Sequence, residues 1–198
     1  MLGVRQPKSV LTFSKRMNRI EAGIKPEELP FVRFTLAERD SLRQLAGSAD
    51  SQRRRLCIDY LWRGIIHRQN FAFLIEMCDR LIPDRSQYVR WQSLLLMGQF
   101  AETEPELIWP LTVKYGTVEN KDIRIATACC VLEHILQHHF SKYFARVRRM
   151  IEGGNRRLGY TLSHCYKYGE AEEPQNSILF DRLAGQYRKR VSNRSKAV

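Results

Sequence analysis

The sequence predicts an all-α protein, an α/α superhelix (solenoid) of about four helix pairs behind an N-terminal capping helix. Three observations carry that expectation. Polar capping residues that open amphipathic stretches recur at a near-constant interval: Ser51, Ser86, Asn120 and Asn155 stand 35, 34 and 35 residues apart, and such a period marks stacked repeats. Within each interval the apolar residues follow the 3.6-residue period of a helix. No alternating run rich in β-branched residues is long enough to argue for a strand.

Taken in order, residues 1–34 read as a basic arm and linker. Arg5, Lys8, Lys15, Arg16 and Arg19 all precede the first acid, Glu21. Such an acid-poor stretch fits an arm that lies on a partner or folds back on the first repeat. The alternative is a cleavable mitochondrial-type segment, against which its two serines and incomplete apolar face argue. Pro26 and Pro30 bracket an extended linker. Thr35-Leu-Ala-Glu38 is a capping box, so residues 35–47 form the capping helix, ended by Gly47 in a left-handed C-terminal conformation.

The repeats follow at 51–81, 86–116, 120–152 and 155–190, with a basic tail at 191–198. Each has room for two helices: 52–66 with 70–81, 87–100 with 105–115, 122–140 with 141–151, and 156–168 with 175–190. Five residues after each cap stands a large apolar residue (Leu56, Trp91, Ile125, Tyr160); ten after stand Leu61, Leu96, Cys130 and Cys165. In the second helices the apolar marks include Tyr143, Phe144, Val147 and Ile151, then Ile178, Leu179, Leu183 and Tyr187. Pro105 suits a helix start; Pro110 is interior and should kink its helix. Gly116, Gly153-Gly154 and Gly169 mark ends.

The stretch 120–140 organises the rest. Asn120 is its cap. Ile125, Ala128, Cys129, Leu132, Ile135 and Leu136 fall on one side of the wheel; Arg124, Thr127, Cys130, His134, Gln137 and His138 fall on the other.

A polar cap followed by Tyr88-Val89-Arg90, or by Asp122-Ile123-Arg124, in a two-helix unit of this length resembles HEAT-type repeats of the kind found in uncharacterised bacterial proteins. The resemblance spans 48–190. It departs in the first and fourth units, where Arg54 replaces the aliphatic residue and Gly159 the arginine. It implies an armadillo-type stack and no particular activity. It further implies that each second helix lines a concave side.

Hydrophobic residues make up 43% and charged residues 27%, the balance of an ordinary globular chain. No stretch of 18 uninterrupted apolar residues exists, so no membrane span is expected. Five cysteines without a Cys-x-x-Cys pattern argue for a reducing compartment, and hence for the cytoplasm. The net charge of +12 is uneven. Residues 1–34 carry seven basic and three acidic groups, 82–116 three and four, and 156–198 nine and four.

Two constellations suggest chemistry. His134 and His138, spaced i and i+4, have the spacing of a metal pair, yet Cys130 lies ~12 Å of helix rise from His138, too far to share one ion. The bland reading is a polar helix face. The stronger signal is a basic stripe: Lys142, Arg146 and Arg149 share one face, with Arg156, Arg182, Arg188 and Lys189 following. A basic groove attracts polyanions through a long-range, salt-sensitive field. Trp62, Trp91 and Trp109 fall on or near apolar faces and read as core.

The expectation is a non-catalytic binding or scaffold module whose basic groove holds a protein partner, with a nucleic acid as the alternative ligand. A third reading is an enzyme resembling HEAT-like DNA glycosylases, to which 105–109 is loosely similar. No Trp-Trp-x-x-Asp-type segment supplies that family's catalytic pair, so no catalytic residue is assigned. No Gly-rich phosphate loop or nucleophile–base arrangement calls for a cofactor.

Overall fold

Thr35 opens the first helix as its pattern requires. In the computed structural model, which describes residues 31–194 with side chains to Arg188, the Thr35 hydroxyl accepts from the Glu38 N–H (3.2 Å) and Glu38 Oε2 accepts from the Thr35 N–H (2.8 Å). The expected N-terminal arm before residue 31, its targeting alternative and the last four residues of the basic tail lie outside the described residues. The described chain is all-α, built from packed helix pairs and short 3-10 turns, with no strand among the described residues. It divides between Phe73 and Leu74 into two compact units.

The first unit holds α1 (Leu36–Ala46), α2 (Ser51–Leu61) and the start of α3 (Phe71–Leu81). Gly47 ends α1 in the right-handed region (φ −84°), so the expected left-handed cap is absent. The cap of α2 is Asp50, not Ser51: its side chain accepts from the Gln52 N–H at 2.8 Å. Residues 31–34, assigned by sequence to the arm, are part of this unit's packing. Val32 and Phe34 are buried. Asn70, fully buried, accepts from the Phe34 N–H (3.1 Å) and donates to the carbonyls of Val32 and Gly64 (3.0 Å each). Phe34 sits so close to Gly64 that a Cβ there would lie 2.4 Å from the ring.

The second unit continues with α4 (Gln87–Gly98), α5 (Pro105–Gly116), α6 (Lys121–Thr127), α7 (Glu133–Glu152), α8 (Arg156–Leu162) and α9 (Pro174–Arg194). Asn120 and Asn155 cap their helices as expected, accepting from the N–H groups of Ile123 and Leu158. Ser86 makes no side-chain cap bond; Asp84 Oδ1 takes the Ser86 N–H instead, at 2.7 Å. Helix α5 runs through Pro110.

One device recurs at the helix starts and explains the arginines. Four residues after its cap, Arg90 turns back so that Nη1 donates to the carbonyls of Asp84 and Arg85, both at 2.9 Å. Arg124 does the same to Val118 (2.6 Å) and Glu119 (2.7 Å). In the first unit the arginine in that role is Arg54, which donates to Ser48 and Ala49. At the fourth position Gly159 stands in the place of the arginine because Tyr187 of α9 lies over it: a Cβ there would be 2.3 Å from the ring.

Between α6 and α7 the chain makes a π-turn, Ala128–Leu132. The extra residue rotates the faces before and after it by about 100° relative to one another, and Leu132, Ile135 and Leu136 beyond it keep their expected burial. Thr127 and Cys130, expected on the polar side, are buried, while Ile125 and Cys129 are only half-buried. Gly98 packs against the turn, with the Cys130 carbonyl oxygen 1.9 Å from where a Cβ would stand. The expected boundary between helices at 140/141 is a single break at His139 (φ −143°, ψ 43°). Glu170 restarts the helix by accepting from the Phe140 N–H at 2.8 Å.

Helix α8 ends at Leu162, well before the expected 168. Glu133, buried in α7, takes the Tyr166 N–H at 3.1 Å and draws the chain away. Burial raises the Glu133 carboxyl above its ordinary range, against the opposing bond from Tyr166. Helix α9 extends to Arg194, past the expected end at 190. Ile178 and Leu179, expected inside, are exposed; the buried face is Phe180, Leu183 and Ala184, at i, i+3 and i+4. Phe180 stacks 6.4 Å from Phe144 and sets that phase.

Candidate functional site

The basic stripe lies on the second half of α7. Tyr143, Phe144, Val147 and Ile151 are buried, as their spacing predicts. Lys142 and Arg149 are exposed and Arg146 half-buried on the other face. Lys142 and Arg146 reach the same acceptor, Glu106 in the first turn of α5. Lys142 Nζ is 2.5 Å from Oε1 and Arg146 Nη1 is 2.9 Å from Oε2. Hydrogen bonds from Arg146, then from Lys142, hold the Glu106 carboxyl down at about 2.

Two aromatic rings floor this pair. Trp109, half-buried, lies 5.0 Å from Tyr143 between centroids. The Arg146 guanidinium stands 5.0 Å from the Tyr143 ring and 5.8 Å from that of Trp109, within cation–π range. The Tyr143 side chain is fully buried and its hydroxyl has no hydrogen-bond partner. It lies beside the Glu106 carboxylate without meeting the geometry of a hydrogen bond. Burial, and then that carboxylate, push the phenol up to about 12. None of the three tryptophans is fully buried: Trp91 donates from Nε1 to Asp122 at 3.1 Å.

The other sequence candidates do not all join this cluster. Arg149, Arg156 and Arg182 are exposed and make no ion pair among the described residues. Arg188 donates to the carbonyls of Ser163 (3.0 Å) and Cys165 (3.3 Å), closing the end of α8. The Lys189 side chain lies outside the described residues.

Sequence reasoning missed Glu106. A usable signal was present in the spacing of the helix starts, because three ion pairs of this unit join positions 35 to 40 residues apart. Lys114–Asp79 are separated by 35 residues, Arg157–Glu119 by 38 and Arg146–Glu106 by 40.

His134 and His138 line a cavity of about 240 Å³ with Gly98, Gln99, Glu102 and Gln137. His134 Nδ1 is 3.2 Å from Gln137 Oε1. His139 adjoins both places, with Nε2 2.8 Å from the Glu102 carbonyl and its ring 6.1 Å from Tyr143. Among the described residues no group of three or more His, Cys, Asp or Glu side chains is placed to hold a metal ion. All five cysteines are free. Burial pushes the Cys57 and Cys130 thiols up to about 12, so they stay protonated at neutral pH and behave as small apolar groups. Among the described residues no helix is long and apolar enough to cross a membrane.

No protein-family model, no curated protein and no solved structure matches this chain.

Proposed function

We propose that the helix pairs are HEAT-type repeats stacked as a solenoid, and that the chain is a non-catalytic module whose basic α7 face holds an acidic segment of a protein partner. The repeat assignment is supported by the arginine at cap plus four, which makes the same pair of carbonyl bonds from Arg54, Arg90 and Arg124. It draws further support from the bonds that tie one pair to the next. Asp122 accepts from Arg90, Trp91 and Gln87 of α4, and Thr161 donates to the Gly116 carbonyl at 2.6 Å.

The observation that carries the binding reading is the convergence of Lys142 and Arg146 above Trp109 and Tyr143. Two cations share one carboxylate, so a net positive charge is left over an aromatic floor. With a chain charge of +12, such a face draws acidic segments by a long-range field.

Fluorescence anisotropy tests this with a labelled oligoglutamate peptide, random duplex DNA and single-stranded RNA at two salt concentrations. Peptide binding that weakens with salt and is lost in Lys142→Glu/Arg146→Glu, with an unchanged helical spectrum, is the expected result. Binding of nucleic acid but not of peptide replaces the protein partner by a nucleic acid. No binding of any probe at low salt refutes the reading.

A further inference from the structure

Glu106 stands where a ligand carboxylate would stand if the α7 face binds acidic peptides. It is about half-exposed, with 55% of its side chain open to solvent. It follows Pro105, in a helix whose cap residue, Glu104, makes no side-chain cap bond. A rotamer change would swing it out into water, and exposed ion pairs are weak enough to permit that. What it would leave behind is a built site. Lys142 and Arg146 supply two charged donors. The first turn of α5 favours a negative charge. The Tyr143 hydroxyl, buried and without a hydrogen-bond partner, lies beside the same carboxylate. A buried hydroxyl left unmet is costly. Glu106 adjoins it without satisfying it, whereas a carboxylate free to choose its own angle can accept from it.

We propose that Lys142, Arg146 and the Tyr143 hydroxyl form the seat for one side-chain carboxylate of an acidic peptide, and that Glu106 is an internal competitor which the peptide displaces. This rests on the binding reading above. The seat selects a carboxylate on a flexible chain, because the displaced group is itself a carboxylate held by the same two cations. The aromatic floor of Trp109 admits the apolar stem of an incoming glutamate. Glu106 keeps the face from holding stray anions until a segment with several acids arrives, whose remaining charges are held by the surrounding basic surface.

The test uses the full chain and a labelled oligoglutamate peptide, read by anisotropy. Glu106→Gln is compared with Glu152→Gln, a charge-matched change at the partner of Arg148 on the same helix. Release of a competitor held by exposed ion pairs should raise affinity roughly fivefold in Glu106→Gln, and less than about twofold in Glu152→Gln. Adding Tyr143→Phe to Glu106→Gln should lower affinity about threefold, the worth of one hydrogen bond, while the single variant Tyr143→Phe keeps or raises the melting temperature.

Equal effects of Glu106→Gln and Glu152→Gln, or no loss on adding Tyr143→Phe, overturn the seat while leaving the binding reading in place. Failure of the wild type and every variant to bind the peptide overturns the binding reading and the seat with it. Binding of duplex DNA alone, strengthened by Glu106→Gln, overturns the peptide as occupant.

Discussion

Replacing Gly98 by alanine probes the contact on which the second unit turns. The new Cβ would stand 1.9 Å from the Cys130 carbonyl oxygen and 3.1 Å from its carbon. Carbon and oxygen approach without strain to about 3.3 Å, so either α4 or the π-turn must yield by more than about 1 Å. Both atoms belong to backbone, and Gly98 and Cys130 are buried, so no side chain can swing aside. Overpacking a core costs about 1–3 kcal/mol, and more where backbone must move. Against this, alanine gains about 1 kcal/mol in helix propensity. The expected net loss is about 3 kcal/mol, or about 10 °C in melting temperature for a domain of this size. Gly185, inside α9, is the matched control: a Cβ there meets nothing within 4 Å. Gly185→Ala should therefore stabilise by about 0.5–1 kcal/mol. Urea and thermal unfolding followed by circular dichroism at 222 nm measure both. A Gly98→Ala protein as stable as the wild type would refute the reasoning, because the π-turn would then relax to a regular helix without cost.

Gly159→Ala should cost about 2 kcal/mol, since its Cβ would enter the Tyr187 ring. Tyr187→Ala should absorb most of that penalty, and a double-mutant cycle in urea showing strict additivity would contradict the contact. Arg124→Ala removes the two bonds to the Val118 and Glu119 carbonyls and should cost about 1.5 kcal/mol; Arg124→Lys should recover only part of it, because a lysine lacks the planar fork. For Asp122, burial pushes the carboxyl up, but bonds from Trp91, Arg90 and Gln87 outweigh it and leave the value lowered. Its contribution is therefore present above the usual carboxylate range and lost as pH falls through the lowered folded value. Asp122→Asn should lower stability by about 1 kcal/mol at pH 7, and the gap to the wild type should close as the solution is acidified; a gap independent of pH would count against the carboxylate's role.

Much of the local structure was legible because its causes are local. The Thr35–Glu38 box, the Asn120 and Asn155 caps, and the split of α7 into a basic and an apolar face each depend on residues within one turn of each other. The errors arose where neighbours offered equal local chemistry. Asp50 and Ser51 are both good caps, and the choice between them follows from Arg54 reaching Ser48 and Ala49. Ile178 and Leu179 sit at helical spacing, yet Phe180 fixes the phase of α9 through its stacking on Phe144. Within the site, the cations Lys142 and Arg146 were read from their spacing, while Glu106 and the Tyr143 hydroxyl entered only through the packing of α5 on α7.

The sequence alone therefore determined an all-α chain, the rhythm of its helix starts, and the exposure of one basic stripe. These follow from capping and from amphipathic period, which act over a few residues. The tertiary structure decided the π-turn that buries Cys130, the break at His139 sealed by Glu170, and the carboxylate on which two cations meet. Each depends on groups some 30 or more residues apart in the chain. At that separation helical period specifies which face is buried but not which atom lies opposite, and close packing makes the choice.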